Sequence, residues 1–151
     1  MKNFICAFLL ILAYSCKAPK EQSEGIKGNV YWTEGNQMPR IADEETGMAA
    51  PTSKLGVQRT ILIHELTHVD QVEVGDFLIG TIHTELVETI QTDKNGEYAV
   101  KLPPGRYSLF TVESDGHFAN TFDRNNYINP VEVKSGEWSV FDILVDYMAA
   151  Y

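Results

Sequence analysis

The chain has only two cysteines among its 151 residues, and both of them, Cys6 and Cys16, lie close to the N-terminus. The residues that follow Cys16 therefore cannot form a disulfide among themselves, nor a cysteine-based metal or redox site. A domain built from these residues must be held together by packing and hydrogen bonds, and about 135 residues are enough to bury a sizeable core in this way.

The chain also lacks an apolar run of about twenty residues, which is the length that a membrane-spanning helix needs. Its apolar run covers residues 4–14 and follows a positively charged start at Lys2. A run of about eleven apolar residues behind a positive charge is typical of a secretory signal peptide. We therefore predict that the protein is exported.

Residues 13–16 read Ala-Tyr-Ser-Cys. This sequence resembles a bacterial lipobox, in which the cysteine is acylated and becomes the new N-terminus. The resemblance implies a lipoprotein signal peptide at residues 1–15 and palmitate-type acylation of Cys16, which would attach the protein to a membrane. The polar residues 16–24 read as a flexible tether. Because Lys17 rather than aspartate follows the cysteine, the expected location is the outer membrane of the cell envelope, on its periplasmic or surface face.

Basic residues are scarce as well: the chain has 12 lysines and arginines against 21 acidic residues, and its formal net charge is −9. The acidic residues are scattered, and a scattered excess of one sign favours solubility. Nucleic acid is excluded as a partner, since phosphate binding needs lysine and arginine in a patch. P-loop, dinucleotide-binding and nucleophile-elbow motifs are absent too.

No segment shows a sustained helical period, whereas several segments alternate between apolar and polar residues in the manner of β-strands. The predicted strands cover residues 26–33, 60–74 (one strand, bent near Asp70), 77–92, 97–102, 107–113, 118–122, 127–133 and 138–145. Turn sequences separate them, among them Asn95-Gly96, which predicts a tight hairpin, and Pro103-Pro104-Gly105. Many short strands with closely spaced turns indicate a β-sandwich or a β-barrel.

Two segments, residues 92–98 (TDKNGEY) and 102–109 (LPPGRYSL), together resemble the signature of carboxypeptidase regulatory-like domains. Residues 28–32 with 35–39 resemble the opening of secreted versions found in bacteria of the Bacteroidetes type. The resemblance implies an all-β, transthyretin-like Greek-key β-sandwich of about seven strands over residues 25–151. It also implies a non-catalytic accessory or binding module, and it brings with it no cofactor and no catalytic residue.

The longest segment without clear periodicity covers residues 34–57. A loop of this length in a compact domain is usually functional or disordered. Its candidate binding residues are Gly35, Asn36, Met38 and Pro39. The expected partner is a protein or a glycan of the cell envelope.

Aromatic residues and isolated histidines supply weaker candidates. Trp32 and Trp138 could form a sugar-stacking surface, but aromatic residues of a sandwich more often pack in the core or on a sheet face. His83 and His117 are expected to be satisfied surface or core residues.

One catalytic motif is present, because His64-Glu65-Leu66-Thr67-His68 matches H-E-x-x-H, the pattern of zinc metalloproteases. On an α-helix, His64 and His68 would share one face and could hold one Zn²⁺. Glu65 would then activate the zinc-bound water as the general base. On a β-strand, the two histidines would lie about 13 Å apart and could not share an ion. The β-branched residues around the motif favour a strand, so we interpret the match as a coincidence with two half-exposed strand histidines.

These observations together predict a lipid-anchored, non-enzymatic binding or accessory module of the cell envelope, without a cofactor. Two alternatives stay open. One is a zinc metallohydrolase that uses His64, Glu65 and His68, and the other is a purely structural spacer in the envelope.

Overall fold

A computed structural model describes residues 23–38 and 54–151 of the chain. The predicted signal peptide, Cys16 and Pro39 lie outside these residues, as do most of the predicted tether and much of the predicted binding loop.

The described residues form β-strands and one short 3₁₀ turn, Val69–Gln71, with no α-helix among them. The strands are β1 (Gly25–Asn36), β2 (Leu55–Gly56), β3 (Thr60–Glu65), β4 (Val72–Val74), β5 (Ile79–Ile82), β6 (Leu86–Gln91), β7 (Glu97–Lys101), β8 (Gly105–Glu113), β9 (Gly116–Phe118), β10 (Pro130–Val133), β11 (Trp138–Val140) and β12 (Ile143–Ala150). The all-β class predicted from the sequence is therefore confirmed. The described part of the chain has twelve strands rather than about seven, because several predicted strands are interrupted.

Two sheets make up the sandwich. In the first sheet, β1 is central: β7 and β2 pair with one of its edges in antiparallel orientation, and β11 and β12 pair with the other in parallel orientation. The second sheet has the order β4-β5-β9-β8-β3-β6, and β10 also pairs with β8. All of its strand pairs are antiparallel.

The main core contains apolar residues from both sheets. Ile26 of β1, Ile61 and Ile63 of β3, and Leu109 of β8 are fully buried members of this one cluster. Each such side chain contributes about 1.5–3 kcal/mol through its removal from water. The two sheets are therefore held together by the alternating apolar residues that predicted the strands.

A second, smaller core lies on the opposite face of the second sheet. Phe110 follows Leu109 on β8 and points to the other face, since successive side chains of a strand alternate. It is fully buried against Val72, Ile79 and Ile128. The β4–β5 hairpin and the segment before β10 therefore cover part of this outer face.

The two glycine turns connect the sheets instead of closing hairpins. Asp93 accepts hydrogen bonds at Oδ1 from the backbone N–H groups of Asn95 and Glu97, both at 2.8 Å, so the tight turn itself is present. However, β6 before the turn pairs with β3 of the second sheet, and β7 after it pairs with β1 of the first. The predicted hairpin is therefore wrong, and the turn at Pro103 likewise passes from β7 to β8 of the other sheet.

The strand predicted over residues 60–74 is also divided. β3 ends at Glu65, the 3₁₀ turn covers Val69–Gln71, and β4 begins at Val72 on the far side of the sheet. β-Branched residues occur on both sides of this break, so their enrichment could not show where the chain changes direction.

Candidate functional site

The H-E-x-x-H residues do not lie on a helix. His64 and Glu65 end β3, and His68 makes an isolated antiparallel bridge with Tyr127 before it caps the 3₁₀ turn. His68 itself has extended backbone angles, φ −85° and ψ 154°. The described residues contain no group of three histidine, cysteine or acidic side chains placed to hold a metal ion. The helical geometry that the zinc alternative requires is not present at these residues.

His64 is buried, with 5 % of its surface exposed, so the prediction of two half-exposed histidines is wrong for this residue. Its ring meets the ring of Phe110 edge to face at 5.7 Å between centroids. The cause is the covering of the outer face of the second sheet, which strand periodicity alone does not reveal.

A chain of hydrogen bonds fixes the proton on His64. Its Nδ1 lies 3.0 Å from the backbone oxygen of Thr84, and a carbonyl oxygen can only accept, so Nδ1 carries the proton. The hydroxyl of Thr67 donates to the backbone oxygen of Glu65 at 2.7 Å, and the hydroxyl of Thr84 then donates to Thr67 at 2.7 Å. Thr84 Oγ1, at 3.3 Å, can therefore only accept from Nδ1. In the neutral ring, Nε2 is left as a hydrogen-bond acceptor.

His68 and Glu65 have other surroundings. Nδ1 of His68 accepts a hydrogen bond from the backbone of Asp70 at 3.3 Å, and its ring meets Tyr127 edge to face at 5.5 Å. Glu65 is exposed. His68 thus stabilises the 3₁₀ turn, and the three motif residues do not converge on one point.

A groove on the outer face of the second sheet contains His64 and His117. It has a volume of about 540 Å³, and we call it the outer groove. Its walls are formed by Leu62, His64, Glu73, Gly80, Thr81, Ile82, Leu86, Gly116 and His117. A volume of this size lies within the range of small-molecule sites.

The surroundings of His64 and Glu73 determine the protonation states of these two groove residues at neutral pH. Burial lowers the pKa of His64, with an opposing contribution from its bond to Thr84 and a smaller lowering from His117. Hydrogen bonds from the hydroxyl and the backbone N–H of Thr81 lower the pKa of Glu73. At neutral pH the groove therefore holds a neutral imidazole and a carboxylate.

An exposed apolar surface lies at the β4–β5 hairpin. Val74, Phe77 and Phe122 are 68 %, 73 % and 54 % exposed, and we call these three residues the hairpin patch. They border a small pocket of about 180 Å³, whose walls include Ile79 and Ile128 of the second core. The sequence predicted Phe77 as the first residue of a strand and not as a binding residue, whereas β5 begins only at Ile79.

The predicted binding loop begins later than expected. Gly35 and Asn36 belong to β1, where they pair with Ala149 and Ala150 of β12, so their assignment to a loop is wrong. Met38 follows them and is 55 % exposed. Only Met38 of the candidate residues is both described and outside a strand.

The ring of Trp32 is not free to stack on a sugar. The guanidinium of Arg59 lies 5.2 Å from the centroid of the Trp32 ring, and Tyr147 meets that ring edge to face at 5.4 Å. Trp32 packs against the main core. Its aromatic surface is therefore already used within the sandwich.

Comparison of the chain with protein-family models, with curated proteins and with solved structures finds no match. The likeness to carboxypeptidase regulatory-like domains therefore rests on the sequence motifs. Over residues 23–38 and 54–151, no helix has the length and apolarity needed to cross a bilayer.

Proposed function

We propose that this protein is a lipid-anchored, non-enzymatic binding module of the bacterial cell envelope. In this proposal the domain is a sandwich of the carboxypeptidase regulatory-like type with Greek-key strand order, and acylated Cys16 attaches it to the outer membrane. The all-β architecture and the lipobox-like residues 13–16 support the proposal. The extended backbone at His64 and Glu65 favours it over zinc hydrolysis.

The hairpin patch is the observation that carries the binding function. Exposing large apolar side chains around a pocket costs free energy in water, and contiguous exposed apolar surface commonly marks an interaction site. Burying Phe77 and Phe122 against a partner would recover about 1.5–3 kcal/mol for each side chain. A purely structural spacer has no need of such a patch.

The chemistry of the patch favours a protein as the partner. The patch residues are apolar, and Asp76 stands beside Phe77 in the same pocket wall. An apolar side chain flanked by lysine or arginine would fill the pocket and pair with this carboxylate. A second copy of the chain fits less well, because each copy carries a net charge of −9.

Site-specific photo-crosslinking in the source bacterium tests the proposal. A benzophenone amino acid replaces Phe77 in one strain and Val140 in the control strain. Val140 is 67 % exposed but lies on β11 of the other sheet. We expect a discrete protein adduct from position 77 only, and a weaker adduct when Phe122→Ser is added.

Other outcomes would count against the proposal in distinct ways. An adduct whose added mass is removed by glycosidases would favour the glycan alternative. An adduct of the chain with itself would indicate self-association, and no adduct from position 77 would favour the spacer.

A further inference from the structure

We propose that the outer groove is a binding site for a small ligand that has an apolar body and a protonated amine. This site is separate from the hairpin patch, so the inference stands or falls independently of the function proposed above. The occupant is a free small-molecule amine.

The first observation is that both histidines of the groove present the same ring nitrogen. His117 Nδ1 lies 2.9 Å from the backbone oxygen of Gly80, as His64 Nδ1 lies 3.0 Å from that of Thr84. In each ring Nδ1 carries the proton and donates it in a hydrogen bond to a carbonyl oxygen, so Nε2 of the neutral form can only accept. No hydrogen bond to either Nε2 occurs within the described residues.

The second observation is that one of these acceptors belongs to a buried side chain. His64 is 95 % removed from solvent, given its 5 % exposure, and it lines the groove. No buried side-chain nitrogen or oxygen of the described residues lacks a hydrogen-bond partner, so the unpaired Nε2 of His64 is accessible to solvent. A ligand that donates a hydrogen bond to Nε2 would replace this solvent contact, whereas an apolar ligand or an acceptor would leave the nitrogen desolvated and unpaired, at a cost in free energy.

The outer groove also carries a negative charge. The carboxylate of Glu73 lines the same groove, and its hydrogen bonds from Thr81 favour the ionised form. The groove therefore offers one negative charge and the acceptor nitrogen of the neutral His64 ring, in a chain of net charge −9. An ammonium group supplies three donors and a positive charge, and it fits this set better than a hydroxyl or a carboxylate does.

Apolar side chains in the outer groove would contact the body of the ligand. Leu62 on β3, Ile82 on β5 and Leu86 on β6 also form walls of the groove. Their side chains provide apolar contact area for a ring or a short alkyl chain. A groove of about 540 Å³ accommodates such a body together with its amine.

The test uses three probes with one apolar body: 2-phenylethylamine, 2-phenylethanol and phenylacetate. Calorimetric titration is performed at pH 7.5 with the mature, lipidated chain in lipid nanodiscs, and empty nanodiscs serve as the blank. We expect the amine to bind most tightly, the alcohol more weakly and phenylacetate not at all. Equal binding of phenylacetate and the amine would overturn the proposal, as would the absence of amine binding.

Two variants assign the acceptors. In His64→Asn and His117→Asn, the side-chain amide can still donate to Thr84 O or Gly80 O, but Nε2 is removed. Each variant should weaken amine binding roughly threefold to tenfold, the effect of one lost hydrogen bond. His68→Asn is the matched control, because His68 lies outside the groove and asparagine is an effective cap.

A further variant separates charge from hydrogen bonding. Glu73→Gln keeps an acceptor for Thr81 but removes the negative charge, so it should weaken the amine and leave 2-phenylethanol unchanged. Glu137→Gln, an exposed change in the turn before β11, is its control. If the variants retain their unfolding temperatures and yet bind the amine like the parent protein, the assignment of the groove is wrong.

Discussion

His64 shows how one residue gains its role from the structure around it. The sequence predicts that the side chains of His64 and Ile63 lie on opposite faces of their strand. The structure has this arrangement, with Ile63 in the main core and His64 against Phe110. It is buried because the outer face of the second sheet is covered by elements that follow it in the chain. The network through Thr84 and Thr67 then fixes its tautomer. Neither fact can be read from a five-residue motif.

Protonation of His64 should destabilise the fold. Burial holds its pKa below the ordinary value of 6.5, so the unfolded chain binds more protons than the folded chain between these two values. The free energy of unfolding is therefore unaffected by this group above pH 6.5. It decreases as the pH falls from 6.5 through the lowered pKa of His64. Urea denaturation measures this loss at a series of pH values from about 7.5, about one unit above the reference pKa, to about 5, about one and a half units below it.

The variant His64→Asn isolates the contribution of this side chain. Its free energy of unfolding should be lower than that of the parent protein at pH 7.5, but should fall less steeply toward pH 5. The control His68→Asn, at a residue outside the outer groove, should keep the steep fall of the free energy of unfolding. Parallel curves for the parent protein and His64→Asn would show that another group causes the pH dependence.

Tyr98 offers a second test at the scale of the residue. Its hydroxyl donates to the backbone oxygen of Phe141 at 2.5 Å and thereby joins β7 to the connection between β11 and β12. Burial raises the pKa of this hydroxyl well above its usual value, so it stays protonated. Tyr98→Phe should lower the free energy of unfolding by about 1 kcal/mol in chemical denaturation. Tyr31→Phe, on the neighbouring strand β1, should have a smaller effect.

At the scale of the element, the turn over residues 93–96 has the local structure that its sequence predicts and a different topological role. Its Asp93 and Gly96 make the tight turn, and both could be recognised beforehand. The partners of β6 and β7 are distant in sequence, so the pattern of the turn carries no information about them. The same turn residues can connect two strands of one sheet or two strands in different sheets.

Gly96 should be the least replaceable glycine of these turns. Its φ is +84°, and a Cβ at this position would lie 2.3 Å from the backbone oxygen of Val30. Gly136 has a similar φ of +76° but has open space around it. Gly136→Ala should therefore cost only the backbone strain, about 1–2 kcal/mol, while Gly96→Ala should cost more because β1 must also move. Equal losses in chemical denaturation would show that the turn does not press against β1.

At the scale of the whole molecule, the two cysteines provide a matched pair for testing the anchor. Cys16→Ser should release the protein from the membrane fraction and abolish incorporation of a clickable palmitate analogue, because the acylated thiol is lost. Cys6→Ser lies in the predicted signal peptide and should change neither readout. Membrane attachment that survives Cys16→Ser would contradict the predicted lipidation.

The sequence by itself determined the all-β class, the positions of most strands and the turns between them. These properties are local: apolar alternation and turn chemistry act over a few neighbouring residues. The predicted strand over residues 60–74 was wrong because β-branched residues are enriched on both sides of a change of direction. The same limit applies to Gly35 and Asn36, which look like loop residues and are held in a strand by β12.

Only the tertiary structure decided which strands pair, how the two sheets are connected and where the outer groove and the hairpin patch lie. The groove combines Leu62 and His64 of β3 with Glu73 of β4 and His117 of β9, and the patch combines Phe77 with Phe122. Such sets of residues are assembled by packing and by long-range strand pairing. Their physical basis is the covering of one sheet face by distant segments of the chain, and no local pattern in the sequence encodes it.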